Sequence, residues 1–378
     1  MADYEVSKLM WMAIVIALAA SIFIIAKPQV QTQAQSVLDK VEEVVKGIKL
    51  PGDTEVDKPS TNPDDYETVA NYATNGTFAM DKDGNAVLWA TDDSKPIEVI
   101  GGTMANVSGE NGVAEKTAAN QKMRSLTIVS PMRITGDAMM FFGNNPKLEY
   151  IKGLENVNVS EVTGMNNMFA DDPMLKSIDI SSWDTSNTTS MISMFATGIS
   201  AQKSALSEIK LGNKFTTAKV TAFNTMFAGA SNLVSIPEEK LDFSSTIPGQ
   251  NTLSTMFAHT GIEHLDFTNS KFPAEFNANS WLSTMPKLKT VKLGQPVKFS
   301  NVNMLFSGDG ISSNTDQLES IDFTGSDLSM IPDDGTQALF TTNMSKLKEF
   351  KMPYNAGIAK NLAEYKFVSQ DIIDGYKA

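Results

Sequence analysis

The sequence predicts an α/β solenoid, with one short helical turn and one strand per repeat, preceded by a long hydrophobic then amphipathic helix. Three observations carry this. The tripeptide Met-Phe-Ala recurs at 168–170, 194–196, 226–228 and 256–258, a near-constant period of ~30 residues that marks stacked repeats sharing one core. A strand-like Leu-x-x-Ile-x-Leu pattern follows the repeated tripeptide. An apolar run from Leu9 to Ala26 continues into a stripe of apolar residues reaching Ile48.

The chain has 378 residues, 42% of them apolar, which is ample for a packed core and too apolar for disorder. A formal net charge of -13 repels nucleic acid phosphates, so no nucleic acid partner is expected. With no cysteine, disulfides, thiolate metal sites and cysteine nucleophiles are excluded.

Residues 1–50 read as the stalk helix. The run Leu9 to Ala26 is interrupted only by Ser21 and would span ~27 Å as a helix. Asp3 and Glu5 precede it, the wrong charge for a secretory n-region. Beyond Pro28, Val30, Ala34, Val37, Leu38, Val41, Val44, Val45 and Ile48 recur at three- and four-residue steps, the narrow stripe of an amphipathic helix. Gly47 and then Pro51-Gly52 mark its end. Glu5 just ahead of the apolar run, Pro28 near the middle and the amphipathic segment together resemble a type IV pilin or a related Tad-like pilin. That resemblance implies a helical homopolymer, membrane-inserted before assembly, with Glu5, Leu9, Trp11, Ile14, Ile16, Ile22, Ile24 and Pro28 in the assembly interface. A carboxylate beside an apolar bundle needs a cation, which for Glu5 is the amino-terminal amine of another chain or Lys8. A plain membrane anchor is the alternative reading of the same run.

Residues 51–66, with three prolines and several acids, read as a linker. Residues 67–138 read as a β-rich cap. In it, Thr77–Met80 and Ala86–Trp89 flank Asp81-Lys82-Asp83-Gly84-Asn85, a hairpin with glycine at its turn. The string resembles part of a calcium loop, but its glycine comes too early and Asp92 stands where the bidentate glutamate is required, so a turn is expected and no metal.

Residues 139–352 hold the repeats. Met165-Met168-Phe169, Met191-Met194-Phe195, Phe223-Met226-Phe227 and Leu253-Met256-Phe257 have the spacing that puts three side chains on one face of a helical turn. The strand part recurs at Leu175/Ile178/Ile180, Leu206/Ile209/Leu211, Ile262/Leu265/Phe267, Leu288/Val291/Leu293, Leu318/Ile321/Phe323 and Leu347/Phe350/Met352, with degenerate copies starting at Leu148 and Leu233. The stretch from Leu175 to Phe195, with its strand, Trp-Asp-Thr-Ser-Asn loop and Met-x-x-Met-Phe turn, resembles the BspA-like leucine-rich repeats of bacterial surface proteins. This implies an extracellular, cell-surface location and adhesion or contact with a surface protein or glycan. Residues 353–378, with a short helix around Gly357 to Tyr365, are expected to cap the last repeat. No Leu-Pro-x-Thr-Gly motif follows, so surface attachment is expected to rest on the amino-terminal segment.

No phosphate loop, dinucleotide fingerprint or zinc spacing is found, and no cofactor is expected. His259, His264 and Asp266 lie near Ser254 and Thr255, but without the glycines of a nucleophile elbow. The chain is therefore read as a non-enzyme. Outward positions of the strands offer a ligand face of mixed sign: Asp179, Lys210, His264, Asp266, Lys292, Asp322 and Lys351. Trp183 and Trp281 are expected to serve packing rather than binding.

Overall fold

The computed structural model describes residues 60, 63–66, 68–102, 121–197, 204–308 and 317–377. The stalk helix expected over 1–50, and with it Glu5, Leu9, Trp11, Ile14, Ile16, Ile22, Ile24 and Pro28, lies outside the described residues. Among the described residues no helix is long and apolar enough to cross a membrane.

Strands dominate. In chain order they are β1 (Thr68–Tyr72), β2 (Gly76–Met80), β3 (Asn85–Ala90), β4 (Ile97–Ile100), β5 (Ser125–Ile128), β6 (Met132–Asp137), β7 (Tyr150–Lys152), β8 (Val157–Gly164), β9 (Ser177–Ile180), β10 (Glu208–Leu211), β11 (His264–Asp266), β12 (Phe276–Asn277), β13 (Thr290–Lys292), β14 (Phe299–Asn301), β15 (Ser320–Asp322) and β16 (Glu349–Lys351). Two helices follow, α1 (Ala356–Tyr365) and α2 (Gln370–Lys377). β1, β2 and β3 form an antiparallel meander, and the Asp81–Asn85 hairpin turn joins β2 to β3. From β3 onwards pairing is parallel, in two series: β3-β5-β7, β9-β10 and β11-β13-β15-β16 on one face, and β4-β6-β8 and β12-β14 on another. Parallel stacking thus begins at Asn85, well ahead of residue 139.

The expected α/β alternation is not what forms. Each Met-Phe-Ala segment is a β-turn in place of a helical turn. The N–H of Met168 donates to the carbonyl of Met165 at 3.2 Å, and the equivalent bonds recur at Met194, Met226 and Met256. The third residue of each turn has a positive φ: Asn167 57°, Ser193 53°, Thr225 55° and Thr255 51°. That is the requirement of a type II turn and is incompatible with a right-handed helix. The alanine N–H closes a second turn in the same coil, as from Ala170 to Asn167 at 3.0 Å, whereas the phenylalanine N–H leaves the coil. Phe169 donates to Met194 (2.9 Å), Phe195 to Met226 (2.8 Å) and Phe227 to Met256 (2.9 Å). A turn and a helix share the i, i+3 spacing, which is why the sequence pattern pointed to the wrong one. Threonine in the left-handed region is strained, whereas asparagine tolerates it. We expect Thr255→Asn, which copies Asn167, to stabilise the fold by about 1 kcal/mol, read as a higher urea midpoint at unchanged slope.

The repeated phenylalanines form a continuous spine. Phe142, Phe169, Phe195, Phe227 and Phe257 stack ring on ring at centroid distances of 5.4, 5.9, 5.4 and 5.6 Å, every pair within 13° of parallel. All are buried, as are Met165, Met168, Met191, Met194, Met226 and Met256. Leu282 then stands where a ring would, beside a small apolar gap lined by Met285, Leu288 and Phe306. Phe306 and Phe340 resume the stack at 5.6 Å. Trp183 and Trp281 are fully buried against this core, and the Trp183 indole N–H donates to the Leu154 carbonyl at 2.9 Å.

The degenerate copy at Leu233–Ile236 forms no strand, although Leu233 and Ile236 are buried. Pro237, which lacks an N–H, follows at once and cannot extend a ladder. The main face is therefore interrupted between β10 and β11. At the far end, Asn355 caps α1 by accepting the N–H of Ile358 at 2.9 Å. α1 buries Ile358, Ala359 and Leu362, and α2 brings Tyr376 against Phe350 at 5.0 Å.

Candidate functional site: the outward strand face

On β9, β10, β11, β13, β15 and β16 the central apolar residue of each strand points inward, and its flanking residues point out. Ile178, Ile209, Leu265, Val291 and Ile321 are buried. Register brings Asp179 opposite Lys210, and places Asp266, Lys292, Asp322 and Lys351 in one row. The structure thus divides the predicted ligand residues between two patches, Asp179 and Lys210 on one, and His264, Asp266, Lys292 and Asp322 on the other.

Within each patch the signs alternate from coil to coil. Lys210 lies 3.8 Å from Asp179, and Lys292 3.7 Å from Asp266. A second row, which the sequence reading missed, precedes the strands: Glu263, Lys289, Glu319 and Lys348. There Lys289 meets Glu263 at 2.5 Å and Lys348 meets Glu319 at 3.5 Å. Earlier in the chain Glu149 takes Arg124 at 2.6 Å and Lys176 at 2.7 Å. On the other face Arg133 bridges Glu98 (3.0 Å) and Glu161 (2.6 Å). The signal for these rows is the opposite charge found one period away, and it appears only once the register is known. Exposed pairs of this kind contribute little each, ~0–1 kcal/mol.

The aspartates of the face also end their strands. Asp179 accepts from the Ser181 N–H at 3.1 Å and its hydroxyl at 2.7 Å, Asp266 from both groups of Thr268, and Asp322 from the Thr324 N–H at 3.1 Å. The recurring Asp-x-Ser/Thr is the sequence signal of this turn. Burial works against the ionised form of Asp179 and Asp322, but hydrogen bonds from Ser181 and Thr324 outweigh it and hold both carboxyls below their ordinary range. At Asp266 the Thr268 hydroxyl is the main cause of the same lowering.

The histidines and acid weighed for catalysis are engaged locally. The His264 ring shares a 2.8 Å hydrogen bond with the Thr290 hydroxyl, and Asp266 is held by Thr268 and Lys292. His259 is a turn residue with φ 58° whose N–H donates to Thr284 at 2.7 Å. The Asp81 carboxylate of the hairpin accepts the N–H groups of Asp83 and Asn85 and the Asn85 amide, each at 2.9 Å. Among the described residues, no group of three or more acids or histidines is arranged to hold a metal ion.

Asp172 stands apart from this face. It is wholly buried, one oxygen accepts the Asn145 N–H at 2.6 Å, and the other has no hydrogen-bond partner. Burial pushes its carboxyl well above the usual range. A raised folded-state pKa contributes stability below the unfolded value, and that contribution is lost as pH rises through the folded value. Asp172→Asn keeps an acceptor and removes the charge. The variant is expected to match the wild type in acid and to exceed it in Tm increasingly towards neutral pH, as measured by thermal melts from pH 4 to 8.

Comparison with known proteins extends over part of this region. Residues 137–265 match a family described as "Mycoplasma protein of unknown function, DUF285". A solved structure, that of a leucine rich cell surface protein from Faecalibacterium prausnitzii A2-165, is similar at 14% sequence identity over 75% of this chain and 94% of that one, with a TM-score of 0.20. No curated protein matches the chain.

Proposed function

We propose that the repeats form a non-catalytic recognition scaffold displayed at the cell surface, whose strand face engages a surface protein or a glycan. The observation that carries this is the pair of outward patches. Short strands ~4.8 Å apart present Asp179, Lys210, His264, Asp266, Lys292, Asp322 and Lys351 in fixed rows over a buried core. A surface held this rigidly loses little entropy on binding. The likeness of the Leu175–Phe195 stretch to repeats of bacterial surface proteins supports the location. The net charge of -13 argues against nucleic acid as the partner.

Self-assembly, or anchoring in a membrane, through the apolar run Leu9 to Ala26 is a further part of this reading that rests on the sequence alone. Ile14→Asp in the full chain is the discriminating change. Loss of filaments on electron micrographs supports assembly, whereas loss of membrane attachment with no filament in the wild type supports an anchor.

The face itself is tested by binding of the immobilised full chain to panels of surface glycans and surface proteins. Lys210→Glu and Lys292→Glu are expected to lower retention of the true ligand at least tenfold. Retention unchanged by both would remove the face from the function.

A further inference from the structure

Four coils carry the larger patch, and each contributes one residue to three outward rows. The first row reads Glu263, Lys289, Glu319, Lys348; the second His264, Thr290, Ser320, Glu349; the third Asp266, Lys292, Asp322, Lys351. The first and third rows both run minus, plus, minus, plus. An even-numbered alternating row becomes its own complement when its order is reversed.

We infer that this face docks on the same face of a second copy of the chain, about a two-fold axis lying in the interface and parallel to the strands. That operation reverses the coil order and leaves each row opposite itself. Glu263 then meets Lys348 of the other copy, Lys289 meets Glu319, Asp266 meets Lys351, and Lys292 meets Asp322. In the middle row His264 meets Glu349 and Thr290 meets Ser320. Every charged residue of the first and third rows faces its opposite, and the middle row joins a histidine to a carboxylate and two hydroxyls to each other. The other face-to-face two-fold, with its axis along the ladder, sets the first row against the third. It would bring together Glu263 with Asp266, Lys289 with Lys292, Glu319 with Asp322 and Lys348 with Lys351, four like-charged contacts. Like charges in contact disfavour that geometry, so the pattern selects one of the two arrangements.

The side chains are accessible for this. Asp266 and Lys292 are 60% and 49% exposed, and Lys351 and Lys348 53% and 77%. Their pairing within the chain leaves them unused hydrogen-bonding positions, since a carboxylate has roughly four acceptor sites and an ammonium three donors. The patch is small. Four strands at ~4.8 Å and three residues at ~3.3 Å cover on the order of 200 Å², well short of the ~800 Å² per partner typical of a stable complex. A single docking is therefore weak, and becomes effective where many copies are arrayed on opposed surfaces. The inference rests on the reading of this face as a recognition surface and names its partner.

Because the chain has no cysteine, disulfide trapping gives a clean test. Full-length chains carrying Glu263→Cys are mixed, in detergent and under mild oxidation, with full-length chains carrying Lys348→Cys. Within one chain these positions are three coils apart and cannot bridge. The mixture is expected to give at least fivefold more cross-linked pair than either variant alone, with the yield falling as salt is raised to about 0.5 M. Adding Lys292→Asp to both chains should lower the yield at least fivefold, and adding Asp322→Lys as well should restore it. Rescue by the double exchange separates docking from pairing within the chain, because the exchange creates like-charged neighbours along the third row. Equal yields from the mixture and the single variants, or no rescue, would overturn the inference. If trapping fails while Lys292→Glu still abolishes binding to a glycan or surface protein, the recognition reading stands and only the partner is wrong.

Discussion

Phe195→Ala is expected to destabilise the repeats by about 3–5 kcal/mol, the range for removing a fully buried aromatic side chain. Phe195 is the middle ring of the five-membered stack, 5.9 Å from Phe169 and 5.4 Å from Phe227, and it is wholly buried. Its removal loses the transfer free energy of the ring, two stacking contacts worth ~0.5–1.5 kcal/mol each, and leaves a cavity that a repeat-locked backbone cannot collapse to fill. The Phe195 N–H bonds to the next coil, and its neighbours Ser193 and Thr197 do the same, so the effect is expected to spread to the adjoining coils. Phe195→Leu, which keeps an apolar filling as Leu282 does naturally, is expected to cost less than half as much. Urea unfolding of the three proteins checks the order. A loss below 1 kcal/mol for the alanine variant would mean that the ring is not in the core.

Gly212→Ala is expected to cost about 3 kcal/mol, the upper end of what overpacking a close-packed interior produces. Gly212 follows β10, and a Cβ built on it would lie 1.8 Å from the carbonyl oxygen of Ser181 in the coil below. The obstacle is backbone and not a side chain that could swing aside. Relief requires the two coils to part at β9–β10, where the register Leu211↔Ile180 sets their spacing. Asn213→Ala, one residue on and exposed, serves as the control and is expected to stay within ~0.5 kcal/mol of the wild type. The comparison isolates coil-to-coil approach from any general intolerance of this turn.

The strand half of each repeat was legible because its signal is simple. Leu, Ile and Leu at the inward positions of a short strand cannot easily mean anything else, and Leu175, Ile178 and Ile180 are buried as that pattern requires. The turn half was legible in position but not in kind. Met165 and Met168 do share a face, yet through a turn with Asn167 at positive φ. Nothing in the residue types announces this, since serine or threonine occupies the left-handed position in three of the four Met-Phe-Ala turns and asparagine in one. Phe141-Phe142 and Trp281-Leu282 went unrecognised as copies of the same unit, although Met140 and Ser280 precede them at φ 55° and 56°. Their tripeptide had diverged, and only the backbone keeps the repeat. The interruption at Leu233–Ile236 was announced by Pro237, which outweighs two well-placed apolar residues. On the face, the individual charges could be read but not their alternation. Sign order along a row is a property of register, and register depends on loop lengths that vary from repeat to repeat.

The Met-Phe-Ala turns are bonded coil to coil and stand or fall together on a shared aromatic spine. Amide hydrogen exchange of the full chain tests this coupling most directly. Peptides covering Asn167–Phe169, Ser193–Phe195 and Thr225–Phe227 are expected to exchange as slowly as those covering β9 and β10, and Phe195→Ala to accelerate all three together. Fast exchange at these turns in the wild type, or acceleration confined to the coil that carries the substitution, would contradict it.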